Sequence, residues 1–317
     1  MQISTIYVIM ILKDVICIMK KSVFLGNGIN RCILSDVSWG DLLATIAQKH
    51  NVQINQNISF PMQFETLVNQ VLMNSKVAKK DAYTEIKQEI MSLLETASLP
   101  ENAPHKVLAD TADSIITTNY DFLIESGIDS NFSIKSIPGR SKDGNNKYNL
   151  RNSVLASGKE VFHIHGDLRR AQSICLGYEH YAGTVQHLRD AIAKKKDVGA
   201  EKVPAIVLAL REPKNTTDTW AEKLFTDDIH IVGLGLTQSE IDIWWLITYR
   251  ATLLYANRFN CRELINNKIV YHDISDMLDD NMKFTLENLG VEYVFHHIPE
   301  KTNEYFLQKY FEISNLI

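Results

Sequence analysis

Two histidines lie two positions apart in the segment His163–Asp167, ahead of Gly166. Side chains alternate between the two faces of a strand, so His163 and His165 share one face, and Gly166 frees the backbone after His165. A histidine at the end of a strand can serve as a general base near neutral pH. The pattern His163, His165, Asp167 also fits a metal triplet on a strand, which leaves a metal-dependent hydrolase as an open alternative.

A second polar segment, Thr118–Asp121, directly follows the apolar run Ser114–Thr117. The amide of Asn119 can orient a water molecule or a sugar hydroxyl, because it offers both donors and an acceptor. Asp121 precedes an apolar helical pattern, so its carboxylate also fits the N-cap of a helix. This segment therefore adds a candidate positioning group, Asn119, and a carboxylate whose role stays open.

Two glycine-rich turns complete the set of candidate segments. Gly26 and Gly28 let a diphosphate approach the backbone, and Arg31 can pair with a phosphate. The later turn Gly233–Glu240 repeats the order of strand, glycine turn and capped helix. Position 31 lacks the third glycine of the dehydrogenase fingerprint, and the sequence contains no GxxxxGK[ST].

Short apolar runs precede all four segments and alternate with helical patterns. This alternation predicts an α/β fold with a Rossmann-like parallel sheet and helices on both faces. The predicted strands are Ser22–Leu25, Ser114–Thr117, Val161–Ile164, Ile229–Val232, Lys268–Tyr271 and Val291–Phe295. Helix-like periodicity predicts helical insertions at about 38–112 and 178–200. In an open parallel sheet, ligands bind beyond the carboxyl ends of the strands, which is where the four segments lie.

Bulk properties exclude several classes of protein. The 317 residues are 45% hydrophobic, enough for a full core, and the net charge of −5 argues against nucleic-acid binding as the main task. The four cysteines form no CxxC pair, which favours a reducing cytoplasm and predicts no zinc site. No segment is typical of a signal peptide or membrane span. We expect Met19 to be the natural start and residues 1–18 to be an upstream extension, with 19–317 as one domain; an ordered extra strand or helix in residues 1–18 is the alternative.

Taken in order, the four segments resemble the sirtuin superfamily, and specifically the sirtuin-like NAD-cleaving domains of bacterial anti-phage defence. Gly26–Asn30 stands where sirtuins have Gly-Ala-Gly-x-Ser, and Thr118–Asp121 stands where they have Gln-Asn-Ile-Asp. His165-Gly166 matches the catalytic His-Gly, and Gly233–Leu236 matches the late glycine-rich turn. The paired zinc cysteines of protein deacylases are absent, so the resemblance implies NAD+ hydrolysis without a metal rather than deacylation.

The resemblance also implies roles for individual residues. Asp121 would bind the nicotinamide carboxamide, Asn119 would position the ribose or the attacking water, and His165 would act as general base. The diphosphate would contact Gly26, Gly28 and Arg31, and the adenosine side would contact Gly233, Gly235, Leu236 and, through its ribose, Asp273. Further NAD+ contacts would come from Asn27, Asn30, Thr118, Tyr120 and Gly166.

The expected partners follow from the same reading. The helix from Ser239 to about Ala256 is apolar nearly all round, which predicts burial on more than one side. We expect core packing for its tryptophans, and a subunit contact in a homo-oligomer as the further option. A defence enzyme that destroys NAD+ implies a trigger, either a separately encoded sensor or a phage-derived molecule. A non-catalytic module that only binds NAD+ or ADP-ribose through the same loops remains an alternative.

Overall fold

The computed structural model of the protein describes residues 19–33, 39–75, 79–95, 97–134, 137 and 147–317. The expected upstream extension, residues 1–18, lies outside the described residues. Within the described part of the chain, no helix is long and apolar enough to cross a membrane.

Strands in the described residues form one large sheet and one hairpin. They are β1 (Lys21–Leu25), β2 (Ser114–Thr117), β3 (Ser153–Ala156), β4 (Lys159–His163), β5 (Lys195–Val198), β6 (Glu201–Pro204), β7 (Asp228–Val232), β8 (Ile269–Ser275) and β9 (Glu292–His297). The large sheet has seven strands in the order β3-β4-β2-β1-β7-β8-β9, and β5 pairs with β6. Only β3, at one edge, runs antiparallel to its neighbour.

Helices connect the strands. They are α1 (Gly28–Arg31), α2 (Trp39–Lys49), α3 (Phe60–Ser75), α4 (Lys79–Leu94), α5 (His105–Asp110), α6 (Leu123–Ile128), α7 (Tyr178–Leu188), α8 (Ala205–Arg211), α9 (Trp220–Thr226), α10 (Ile241–Ala256), α11 (Cys261–Leu264), α12 (Asp280–Asn288) and α13 (Asn303–Ser314). A π-helical turn, Arg189–Ala193, continues α7, and short 3-10 turns occur at Ala171–Ser173, Pro213–Asn215 and Arg258–Asn260.

Both faces of the sheet are buried under helices. Alternate residues of β1 divide between two clusters, with Phe24 in one cluster and Val23 and Leu25 in the other. The Phe24 face packs against α7 to α10 and α12, and the opposite face packs against α1, α5, α6 and α13. Strands buried on both sides read as continuous apolar runs, as the sequence does here. The predicted α/β fold with a Rossmann-like sheet is confirmed.

The central strand β1 is held by partners from distant parts of the chain. The Ser22 hydroxyl lies 2.7 Å from the Ser114 hydroxyl, 92 positions later, and donates to Asp227, 205 positions later, at 2.8 Å. Because β1 pairs in parallel with both β2 and β7, the turns after these three strands lie at the same edge of the sheet.

The first insertion has a core of its own. Helices α2, α3 and α4 pack together and against the segment after β2. The second insertion differs from its predicted helical form, because the lysines at 195 and 196 lie in β5, the exposed strand of the hairpin β5–β6 after the π-helical turn. Because β5 is exposed on both faces, its sequence lacks the alternation of apolar and polar residues that marks a strand. Its lysines therefore look in sequence like the solvated face of a helix.

Candidate functional site

A cavity of about 630 Å³ lies at the carboxyl ends of the strands. It includes residues from the turns after β1, β2, β4 and β7, from the strand β8 and from the helices α7 and α13. Of the predicted site residues, it is lined by Asn27, Gly28, Arg31, Thr118, Tyr120, His165, Gly233, Gly235 and Asp273. Gly26, Asn30, Asn119, Asp121, Gly166 and Leu236 do not line it.

The two glycine turns are bonded to each other at the base of this cavity. The Gly28 N–H donates to the Gly233 carbonyl at 2.8 Å, and the Gly26 N–H donates to Val232 at 3.0 Å. A Cβ on Gly28 would lie 2.7 Å from the Gly233 carbonyl oxygen, and Gly233 has a φ of +65°. The approach of the two turns therefore requires glycine at both positions. Arg31, exposed beside them, is the cation of this part of the cavity.

Asn119 is fully buried at the mouth of β2, between two residues that line the cavity. Neither its Oδ1 nor its Nδ2 has a hydrogen-bond partner among the described residues. Its backbone is fixed, because its N–H donates to the Thr117 hydroxyl at 3.0 Å and its carbonyl accepts from His163 Nδ1 at 2.8 Å. A buried amide without a partner costs roughly 1–3 kcal/mol per polar group, so this side chain is a candidate ligand contact.

His163 is a buried cation that supports Asn119. Its two ring nitrogens face acceptors, the Asn119 carbonyl and Glu125 Oε1, the latter at 2.7 Å. Burial alone would lower the pKa of His163, but the Glu125 carboxylate outweighs it and raises the pKa to about 9. Both nitrogens can then donate, which orients the backbone at Asn119.

Asp121 and Asn30 are bonded to each other beneath the turn rather than exposed in the cavity. Asn30 Nδ2 donates to Asp121 Oδ2 at 2.8 Å, and His105 Nε2 lies 2.8 Å from Asn30 Oδ1. Burial lowers the pKa of His105 to about 3, so the ring is neutral and donates to the amide oxygen. Asn30, expected to contact NAD+, is therefore committed to two protein partners.

The carboxylate of Asp121 is nearly inaccessible from the large cavity. Its Oδ1 accepts the Leu123 N–H at 3.1 Å, and the N-cap of α6 is the next residue, Phe122, rather than Asp121. Burial raises the pKa of Asp121 to about 6, while this backbone N–H lowers it. Asp121 lines a neighbouring cavity of about 340 Å³.

Each of the three residues of the candidate metal triplet is paired with a different side chain. His163 pairs with Glu125, His165 pairs with Asp242, and Asp167 binds Arg169 at 2.6 Å. Burial would raise the pKa of Asp167, but Arg169 outweighs it and lowers the pKa to about 2. The one group of metal-binding geometry in the described residues is His50, Glu85 and Glu89, none of which lines the cavity. The donor set therefore does not support a metal held by His163, His165 and Asp167.

His165 lines the cavity with a carboxylate behind it. Its Nε2 lies 2.8 Å from Oδ2 of Asp242, which is fully buried in the first turn of α10. Burial disfavours the charged ring, but Asp242 outweighs it and raises the pKa of His165 above its usual value. The Tyr181 ring meets the imidazole edge-on at a centroid distance of 5.2 Å. Nδ1 has no hydrogen-bond partner among the described residues.

Two acidic groups near His165 were missed by sequence reasoning. Asp242 follows the predicted turn by two residues, inside an apolar helix, and no motif singles it out. Glu240 lines the cavity, and its carboxylate accepts the Thr237 N–H at 2.7 Å. Burial raises the pKa of Glu240 to about 7, although His165 lowers it. The spacing of Thr237 and Glu240 predicts a capping box with two reciprocal hydrogen bonds. The bond from the Thr237 N–H to the Glu240 carboxylate is the one that forms.

The remaining predicted residues divide between the cavity and the core. Asp273 lines the cavity at the end of β8, where its Oδ2 accepts from the hydroxyls of Tyr293 and Ser275. Leu236 instead packs in the core, and Gly166, with φ of +92°, packs against the backbone of Ser173. Neither of these two is exposed to a ligand in the cavity.

Residues 113–229 match the SIR2-like domain, a match that spans β2 to the start of β7 and includes Asn119 and His165. A search of curated proteins finds no relative that matches the chain. Domains of this kind bind NAD+ and are generally NAD-dependent enzymes, so an NAD-related function follows. Together with the Rossmann-like sheet, this match makes the chain sirtuin-like over residues 113–229.

Proposed function

We propose that this protein hydrolyses NAD+ to nicotinamide and ADP-ribose. The observation that supports this most is the pair of His165 and Asp242, with the imidazole lining the cavity and the carboxylate buried behind it. A module that only binds the dinucleotide has no need of a base oriented in this way. The cavity of about 630 Å³ also lies within the range of cofactor sites.

The proposed step breaks the bond between the ribose C1′ and the nicotinamide nitrogen, and the bonding electrons leave with nicotinamide, which departs neutral. The ribose passes through a state with oxocarbenium character, as in other glycosyl transfers. A water oxygen bonds to C1′, and its proton passes to His165 and then to solvent. Asp242 stabilises the imidazolium that forms, and no metal is needed for the leaving group.

Asn119 is the group we assign to the sugar or the water. Its amide is fully buried, has both polar atoms without a partner and follows directly after Thr118 in the cavity wall. One amide can accept from a hydroxyl and donate to an oxygen at once. His163 holds the backbone of Asn119 in place. The residues therefore divide into a base, a positioning amide and the cation that orients that amide.

The dinucleotide would lie along the carboxyl ends of the strands. The diphosphate fits the junction of the Gly28 and Gly233 turns beside Arg31, and the adenosine ribose fits Asp273. The nicotinamide end then reaches His165. Asp121 lines the separate smaller cavity and is bonded to Asn30 and Leu123, so we assign it to the support of Asn30 rather than to the carboxamide.

The test is to incubate the purified protein with NAD+ and follow nicotinamide and ADP-ribose. We expect His165→Ala and Asn119→Ala each to lose roughly 10²–10⁴-fold in kcat. His297→Ala is a matched control, because His297 is exposed on β9 and does not line the cavity. Unchanged turnover in both site variants would refute the mechanism. Tight binding of NAD+ without products would favour the sensor function instead.

A chelator separates this mechanism from the metal-dependent alternative. We expect nicotinamide release to persist after treatment with EDTA, because His163, His165 and Asp167 have separate protein partners. Loss of activity that Zn²⁺ or Mn²⁺ restores would favour the metal-dependent hydrolase.

We further propose that this hydrolysis is the effector step of an abortive anti-phage response, in a homo-oligomer activated by a sensor or a phage product. Support comes from the sirtuin-like match together with the absence of paired zinc cysteines. The test is to measure cellular NAD+ in bacteria that express the wild type or His165→Ala, before and after phage infection. Equal NAD+ in both strains after infection would contradict the defence role.

A further inference from the structure

A buried tyrosine lies at the junction of the two glycine turns and lines the cavity there. Tyr310, on helix α13, is 2% exposed and lines the large cavity. No residue in the described part of the chain forms a hydrogen bond with its hydroxyl. Buried tyrosine hydroxyls usually find a partner, so this group is available to a ligand in the cavity.

The position of the hydroxyl follows from the glycines around it. A Cβ added to Gly28 would lie 2.8 Å from the Tyr310 oxygen, and one added to Gly233 would lie 3.2 Å from it. These are the two turns that the Gly28 N–H bonds together. The hydroxyl therefore lies against the backbone of both turns, at the wall of the cavity.

The packing of α13 fixes this hydroxyl in place. Tyr310 and Ile313 belong to the same buried cluster as Leu25, Ile29 and Val232, the residues that flank the two turns. Burial raises the pKa of Tyr310, so the hydroxyl keeps its proton and can donate. One helical turn earlier, Phe306 also lines the cavity, so α13 forms one wall of it.

We propose that the Tyr310 hydroxyl donates a hydrogen bond to the diphosphate of a bound dinucleotide. This inference rests on the nucleotide site of the proposed function, and it extends that site to a helix beyond residues 113–229. The ligand class it selects is a nucleoside diphosphate or its ester, in preference to a nucleoside. A donor at this position complements the charge of Arg31, which lines the same cavity.

The test compares Tyr310→Phe with the wild type by calorimetry, with ADP and adenosine as probes. Loss of one hydrogen bond to an anion predicts roughly tenfold or more weaker ADP binding, with adenosine binding unchanged. The matched control is Tyr305→Phe on the same helix, because Tyr305 does not line the cavity. We expect the melting temperature of Tyr310→Phe to match the wild type, because the hydroxyl has no protein partner to lose.

Three results would overturn the inference. Equal ADP affinity in Tyr310→Phe and the wild type would show that the hydroxyl does not bond to the diphosphate. Equal losses of affinity for ADP and adenosine would assign the effect to packing. A wild type that binds neither ADP nor ADP-ribose would overturn the inference together with the nucleotide site. A wild type that binds ADP but does not cleave NAD+, even with lysate from phage-infected cells, would refute hydrolysis alone, and the Tyr310 comparison then stands by itself.

Discussion

The imidazole of His165 and the carboxylate of Asp242 meet at 2.8 Å although they are 77 positions apart in the sequence. The carboxylate lies in the first turn of α10, where the helix dipole favours negative charge, and its Oδ1 accepts the Ile243 N–H at 3.0 Å. The helix thus holds Asp242, and Asp242 holds the ring against the cavity wall.

Replacing Asp242 with asparagine should lower both the activity and the pKa of His165. The base acts in its neutral form, and Asp242 raises the pKa of His165, so its loss moves the acid limb of kcat/KM to lower pH. Glu240 also titrates in the cavity, so Glu240→Gln is needed to assign that limb. We expect kcat of Asp242→Asn to fall by roughly 10–100-fold. An acid limb at the wild-type pH would contradict a role for the pair.

Asn119→Ala should lose activity without losing stability. The amide has no hydrogen-bond partner among the described residues, so its burial costs roughly 1–3 kcal/mol of stability. Removing the amide removes this cost, and the loss of packing around it offsets the gain. Urea unfolding should therefore give an unfolding free energy at or above that of the wild type. The matched control is Asn267→Ala, because Asn267 is buried and bonded to Leu224, Asp227 and Arg250, and its loss should destabilise the fold. Similar destabilisation by both variants would mean that Asn119 is structural.

The ion pair of His163 and Glu125 predicts a pH dependence of stability. The pKa of His163 in the folded protein is raised from 6.5 to about 9, so the pair stabilises fully below pH 6.5. This contribution is lost as the pH rises through 9. The difference in unfolding free energy between the wild type and Glu125→Gln should shrink over that interval, whereas exposed Glu101→Gln should show no such trend. A difference independent of pH would show that His163 is neutral in the fold.

Two glycines of the cavity should respond differently to alanine. A Cβ on Gly28 would meet the Gly233 backbone at 2.7 Å, whereas the nearest atom to one on Gly235 is 3.8 Å away. We expect Gly28→Ala to cost about 1–3 kcal/mol of stability and to weaken ADP binding. Gly235→Ala should leave the melting temperature unchanged or slightly raised. Equal melting temperatures in the two variants would contradict the close approach of the two turns.

Much of the sheet could be predicted from the sequence, because strands buried on both faces leave continuous apolar runs. The run at Ser114–Thr117 coincides with β2, and the other five predicted strands overlap β1, β4, β7, β8 and β9. Strand β3 was missed, because only two of its four residues are fully buried and it pairs only at the sheet edge.

The candidate site was less accessible to sequence reasoning. The residue types at the ends of the predicted strands identified His165 and the glycine turns. The hydrogen-bond partners of each side chain depend on tertiary contacts, which the sequence does not show. Asn30 has the position of a nucleotide contact in the sequence and is nevertheless bonded to Asp121 and His105. Asp242 and Tyr310 belong to helices whose sequences are typical of packing, so neither is distinguished from a core residue before the fold is known.

The position of β1 at the centre of the sheet has a consequence for folding. Ser22 contacts residues 92 and 205 positions away, so the strand that carries the first glycine turn gains its neighbours only after long loops close. Long-range pairing of this kind slows folding. We expect a refolding chain to recover helical signal before it binds ADP, because the nucleotide site exists only once β7 has joined β1.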